Sequence, residues 1–268
     1  MLNNKKGILI LVISLVVIYL LIALISAIPT GKKYNNIVFL GSSTKVTVKD
    51  GKISVYNEDK KISKQKVKIY FNHSFVDGYI ASEQGESSGT ENVYYCYNIN
   101  GDTLISDSML IASTLDKKLD VKEGKTQELK GIKYIQDLLS STNIASDDDK
   151  EIELDYGKIA YIDIDDDGIE DNIYSVGLIS ESIVDGDQDY ISYVYLKKGN
   201  SNDYILILKS EASYDGISNQ RLSFEKMIDF NSDGNYEFVV EKMMGEYGPF
   251  YYELYNFDGS KFTMIGGE

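Results

Sequence analysis

The chain has 268 residues, with 27 Lys+Arg against 42 Asp+Glu, one His, one Cys, no Trp and two Pro. A net charge of −15 repels phosphate backbones and argues against a nucleic-acid partner. The lone Cys96 excludes an internal disulfide or a thiolate metal cage, the lone His73 excludes His-rich zinc sites, and 43% hydrophobic residues predict a folded chain with a sizeable core.

A short tail, residues 1–6, precedes an uncharged run of 22 residues from Gly7 to Ile28. As a helix this run spans roughly 33 Å, matching a bilayer core of about 30 Å. Lys5 and Lys6 stand before it, and Pro29-Thr30-Gly31-Lys32-Lys33 ends it. A cleaved signal peptide has a shorter apolar region of about 7–15 residues and a small-x-small cleavage site, which Ile25-Ser26-Ala27 matches poorly. The pattern predicts an uncleaved transmembrane signal anchor over 7–28 and a juxtamembrane linker over 29–35. The amino terminus adds a positive charge to the short side, which biases the topology to N-inside with the body exported. The protein is thus expected in the cell membrane as a single-pass protein with an extracytoplasmic body. That body carries 25 Lys+Arg against 42 Asp+Glu after Thr30, a charge of −17.

Residues 36–126 read as a β-rich domain of no recognisable family. Lys45–Val48 and Lys52–Tyr56 alternate around Asp50-Gly51, a strong hairpin signal. Lys66–Phe71, Val93–Tyr97 and Thr103–Ile111 read as further strands, with a turn at Asn100-Gly101. Glu83–Thr90 is Gly/Ser/Glu-rich and reads as a loop. Over 127–150 the period changes. Leu129, Ile132, Ile135 and Leu138-Leu139 predict a short amphipathic helix from Gln127 to Ser140, followed by an acidic linker at Asp147–Asp149 and a domain boundary near 145. From 151 to 268 the pattern returns to strands. Tyr193–Leu196 and Tyr204–Leu208 flank a turn at Lys198–Asn202, and Tyr251–Tyr255 and Lys261–Met264 flank Asp258-Gly259.

Two segments in this last region repeat with a shift of 66 residues. Asp163-Ile164-Asp165-Asp166-Asp167-Gly168-Ile169-Glu170-Asp171 lies between Ile159–Ile162 and Asn172–Val176. Asp229-Phe230-Asn231-Ser232-Asp233-Gly234-Asn235-Tyr236-Glu237 lies between Glu225–Ile228 and Phe238–Val240. Both read D-x-[DN]-x-D-G-x-x-[DE]. Calcium takes six to eight hard oxygens at about 2.3–2.6 Å. In a tight loop, oxygens at positions 1, 3 and 5 point inward, glycine at position 6 permits the turn, position 7 offers its carbonyl and position 9 closes the site. The expected ligands are Asp163, Asp165, Asp167, the Ile169 carbonyl and Asp171 in the first loop. In the second they are Asp229, Asn231, Asp233, the Asn235 carbonyl and Glu237. An EF-hand is disfavoured, because its twelfth position should be a bidentate Glu and is here Tyr174 or Val240. Helix-borne dockerin loops are disfavoured because the flanks alternate as strands. Six acidic side chains within nine residues predict that the first loop is poorly ordered without a cation and binds more tightly than the second.

The two loops resemble the calcium-binding repeats of FG-GAP/VCBS-type proteins, whose blades form the integrin-alpha-type β-propeller. The resemblance covers about 158–268, with its specific part in the two nine-residue loops. It implies antiparallel blades with one Ca2+ in each hairpin, two sites in all. Two repeats fall short of the four blades a closed propeller needs, and the Phe-Gly…Gly-Ala-Pro signature is not visible. The expected fold class is therefore mainly β. It consists of an N-terminal transmembrane helix, a β-rich domain, a short helix, and antiparallel repeats forming an incomplete propeller or a β-sandwich.

Asp185-Gly186-Asp187-Gln188-Asp189 lacks the glycine at position 6 and reads as a turn. His73 has no nucleophile-elbow context and reads as a loop histidine. Cys96 reads as core-facing and inert. The aromatic stretch Glu246–Tyr252 reads as strand packing plus a turn, with exposed tyrosines able to stack on a sugar or a protein. These readings combine into a non-enzymatic, membrane-anchored ectodomain stabilised by Ca2+ and serving recognition or adhesion of an extracellular protein or glycan. The alternative is a surface hydrolase acting on glycans through paired carboxylates, which a cleft holding two raised-pKa carboxyls away from both loops would favour.

Overall fold

Two-residue turns set the register of the first sheet. At Asp50-Gly51 both residues take positive φ (51° and 75°), and at Asn72-His73 the angles are 48° and 62°. This is the left-handed pair that a type I′ hairpin requires. The computed structural model describes residues 36–56, 61–84, 92–105, 109–142, 150–182, 187–213, 219–245 and 250–265. The Gly7–Ile28 run, the acidic residues Asp147–Asp149, Asp185-Gly186 and most of the Glu83–Thr90 stretch lie outside the described residues. Among those described, no helix is long and apolar enough to cross a membrane.

The fold is mainly antiparallel β. The first sheet contains β1 (Ile37–Leu40), β2 (Thr44–Lys49), β3 (Lys52–Tyr56), β4 (Gln65–Phe71), β5 (Ser74–Gln84), β6 (Asn92–Asn98) and β7 (Ile111–Ser113). Its order is β3-β2-β1-β7-β4-β5-β6. Of the expected strand over Thr103–Ile111, the described residues 103–105 and 109–110 are not in regular strand. Thr103 makes an isolated bridge to Tyr97, and Ile111 begins the strand that ends at Ser113. The Asn100-Gly101 turn closes on itself, with Asn98 Oδ1 accepting from the Asn100 and Asp102 amides.

The next two strands leave this sheet. Strand β8 (Asp120–Lys122) pairs with β14 (Gln220–Asp229), and β9 (Lys125–Glu128) pairs with β10 (Lys150–Ile162). Strand pairing therefore runs across the expected boundary near 145. The expected helix over Gln127–Ser140 is corrected in extent. Residues 125–128 are strand, Ile132–Tyr134 form a 3₁₀ turn and only α1 (Gln136–Thr142) is α-helical. Pairing with β10 holds residues 125–128 extended, which leaves only the later residues to the helix. The apolar spacing still served packing: Ile135, Leu138 and Leu139 are buried with Leu129 and Ile132 against them.

Strands β10 (Lys150–Ile162), β11 (Asp171–Ser182), β12 (Gln188–Lys197) and β13 (Tyr204–Ser213) form a meander, with β9 on its edge beside β10. Strands β14 (Gln220–Asp229), β15 (Glu237–Met244), β16 (Phe250–Phe257) and β17 (Phe262–Met264) form a second meander, with β8 beside β14. The two repeats thus adopt one plan, a four-stranded meander plus one strand donated from 120–128.

The three sheets stack face to face, with the β14–β17 sheet in the middle. One of its faces, carrying Ile228, Val239 and Leu254, packs on Val38, Leu40, Val46 and Ile111 of the first sheet. Its other face, carrying Phe224, Phe238, Val240 and Tyr255, packs on Ile162, Ile173, Val194 and Leu196 of the β10–β13 sheet. Successive residues of a strand point to opposite faces, so Phe238 and Val239 serve different cores. The outer face of the first sheet has its own core around Phe39, Ile69 and Ile80, while α1 covers the outer face of the β10–β13 sheet. Cys96 is buried in the outer core of the first sheet, where burial pushes its thiol up to about 12.

Candidate metal centre

The first loop connects β10 to β11, and the second connects β14 to β15. The flanking strands pair up to the loop mouth, Ile162 opposite Asp171 and Ile228 opposite Glu237. Position 2 of each loop anchors it, with Ile164 and Phe230 buried in the flanking cores. Positive φ recurs at position 4 (Asp166 58°, Ser232 57°) and position 6 (Gly168 84°, Gly234 87°). The glycine at position 6 is thus explained, because left-handed backbone costs other residues roughly 1–2 kcal/mol.

The two loops share one hydrogen-bond plan. Position 1 accepts from the amides of positions 5 and 6. Asp163 takes those of Asp167 and Gly168 at 3.1 and 2.9 Å, and Asp229 takes those of Asp233 and Gly234 at 3.2 and 3.1 Å. Position 5 accepts from position 7 at 2.8 Å in both loops. Position 9 accepts from position 2, Asp171 from Ile164 at 3.0 Å and Glu237 from Phe230 at 3.2 Å. These bonds hold the carboxylates in place, and position 9 is buried in both loops, Asp171 at 3% exposure and Glu237 at 2%.

The loops differ in charge. In the first, one carboxyl oxygen each of Asp163, Asp165 and Asp171 lies within 4.8 Å of the other two. Asp167 stands outside this trio, its Oδ1 turned to the Ile169 amide. In the second, no trio of acidic side chains closes to that spacing among the described residues. Asn231 instead bridges Asp233 Oδ2 at 2.9 Å and the Gly51 carbonyl at 3.1 Å. Burial pushes the Glu237 carboxyl up to about 7, helped by Asp233 and Asp229 nearby. Backbone amides, chiefly that of Asn235, hold Asp233 below the usual carboxylate range.

Lysines that the loop pattern did not single out relieve the expected repulsion in the first loop. Lys198 Nζ donates to Asp165 Oδ2 at 2.7 Å and Lys122 Nζ to Asp166 Oδ1 at 2.6 Å. Lys125 stands 3.8 Å from Glu170. The hydrogen bond from Lys198 lowers the Asp165 pKa, and Asp165 raises that of Lys198 in return. Lys198 follows the end of β12, where the register sets Lys197 opposite Asn172, and the next amide, Gly199, donates to Asp171 Oδ1 at 2.9 Å. The long-range register places it there, which local spacing does not show.

Both loops open on one cleft of about 850 Å³, lined by Asp165 and Lys198 on one side and Asn231, Asp233, Asn235 and Glu237 on the other. Of the minor candidates, His73 sits in the β4–β5 turn and contacts Glu123, and Asp187 precedes β12. Tyr252 is buried, so it is not an exposed stacking platform. No protein-family model, curated protein or solved structure matches this chain.

Proposed function

We propose that the chain is a membrane-anchored, extracytoplasmic calcium-binding protein whose β ectodomain serves recognition or adhesion. The observation that carries the calcium part is the shared hydrogen-bond plan of two loops 66 residues apart, with three carboxyl oxygens converging in the first. The donors fit a hard cation: carboxylate, amide and carbonyl oxygens, with no sulfur or imidazole. Asp163, Asp165, Asp167, the Ile169 carbonyl and Asp171 would hold one Ca2+. Asp229, Asn231, Asp233, the Asn235 carbonyl and Glu237 would hold the other. The ion would neutralise the acidic loop and clamp two adjacent strands, acting as a staple in a chain without disulfides. The uncharged Gly7–Ile28 run supports the anchor. The FG-GAP/VCBS likeness of the loops supports the recognition role.

A calorimetric calcium titration tests this directly. Two binding events are expected. Asp165→Asn with Asp167→Asn should abolish the tighter one, and Asn231→Ala with Asp233→Asn the weaker, each with a smaller calcium-induced rise in melting temperature. Absence of heat and of thermal shift at high calcium would reduce both loops to acidic turns.

The glycan hydrolase alternative draws on a different place, a cavity where Glu225 and Glu241 both line the wall. Burial pushes Glu241 up to about 7, as a general acid would need. Glu225, however, is committed to Lys158 at 2.9 Å and to the Ser223 hydroxyl at 3.0 Å, and Glu123 is committed to Lys226 and His73. The pair therefore lacks a free base, and the binding reading stands ahead of it.

A further inference from the structure

A cavity of about 780 Å³ lies away from both calcium loops, where strands of all three sheets meet. Its wall combines aromatic side chains (Tyr94, Phe250, Tyr252) with three carboxyls (Glu123, Glu225, Glu241) and two lysines. The lysines are already used. Lys226, buried to 3% exposure, donates to Glu123, which also contacts His73, and Lys158 pairs with Glu225. Glu241 receives the Tyr252 hydroxyl at 3.0 Å and makes no ion pair among the described residues. It is thus the one carboxyl of the cavity left with a neutral partner, beside an aromatic ring. A second cavity of about 480 Å³ also has Lys158, Glu225 and Glu241 on its wall.

We propose that this cavity binds a small organic ammonium ligand, its cationic head on Glu241 and its carbon chain against Tyr252 and Phe250. A carboxylate supplies the charge-assisted hydrogen bond, and the flanking rings favour a cation over a neutral polar group. A plain metal ion would gain little from the aromatic wall. An anion would meet Glu241 and Glu225 with both lysines engaged.

Ionisation of Glu241 gives the site a pH signature. The groups facing it are Glu225 on β14, which opposes its ionisation, Lys158 on β10, which favours it, and the Tyr252 hydroxyl on β16, which donates to it. Burial is the main cause that raises this carboxyl to about 7. The ionised fraction then rises about tenfold from pH 6 to pH 8, and affinity for an ammonium should follow it.

The test is a calorimetric titration of the full-length chain in mild detergent, at saturating calcium, with 1,4-diaminobutane and with its neutral counterpart 1,4-butanediol. The diamine should bind and the diol should not. Diamine affinity should fall about tenfold between pH 8 and pH 6, and Glu241→Gln should lower it roughly tenfold or more at pH 8. The pH series on the unaltered chain keeps the test decisive where Glu241→Gln impairs folding. Diamine binding that survives the Asp165→Asn with Asp167→Asn change separates this site from the calcium loops. Equal binding of diol and diamine, full affinity in Glu241→Gln, or no diamine binding up to about 10 mM would each overturn the proposal.

Discussion

Lys198 holds a position that the proposed calcium site would need. Its ammonium sits on Asp165, one of the three converging carboxylates, and feels the charges of Asp171 and Asp167 as well. An entering cation must displace it or share Asp165 with it. The pair is exposed enough that its net worth is small, on the order of 0.2–1 kcal/mol. Lys198→Met keeps the stem and removes the charge, so calcium affinity of the first loop should rise about two- to fivefold, with the second loop unchanged. A calcium titration that follows the two events separately checks this. Weaker binding in Lys198→Met would show instead that the ammonium positions Asp165 for the ion. At this same scale the sequence showed the repeated loop pattern and was silent about lysines. D-x-[DN]-x-D-G-x-x-[DE] is a local pattern, whereas Lys198 and Lys125 reach the first loop through strand pairing, and Lys122 reaches it from a strand of the other repeat's sheet.

Hairpins were the most legible elements, because turn chemistry is written in two adjacent residues. Asp50-Gly51 and Asp258-Gly259 join strands as expected, with Gly51 and Gly259 at positive φ. The Asn72-His73 turn was missed because it lacks the glycine of the Asn-Gly and Asp-Gly signals, although both residues take positive φ. The helix over 127–140 was overextended because period alone cannot register a sheet edge that competes for residues 125–128. Loop 2 shows what an element needs to hold its shape. Gly234 has φ 87° and open space where a Cβ would stand. Gly234→Ala therefore introduces no clash, and its cost is conformational, about 1–2 kcal/mol. Denaturant unfolding should show that loss. Calcium should recover part of it if the strained loop can still close, and a neutral substitution would mean the left-handed turn is not maintained in solution.

At the scale of the whole molecule, stacking was the least legible feature. A strand pattern says which residues alternate, but not which sheet meets which face. The β14–β17 sheet is covered on both faces, so its strands carry nearly continuous apolar runs such as Phe238-Val239-Val240. This arrangement ties the fate of the three sheets together. Phe238 is 1% exposed and lies among Phe224, Phe257 and Phe262, with ring centroids 4.9–6.2 Å away, facing the β10–β13 sheet. It also follows Glu237, the closing ligand expected of the second loop. Phe238→Ala empties the centre of that interface and should cost about 3–5 kcal/mol, from lost burial plus a cavity that the surrounding sheets cannot fully collapse. If the stack is one cooperative unit, calorimetry should show a single transition at lower temperature. Calcium binding at both loops should then fail together near that temperature, although Phe238 itself belongs to the second repeat. Two separate transitions, with only one displaced, would show that the sheets fold as independent units and that the shared cores couple them weakly.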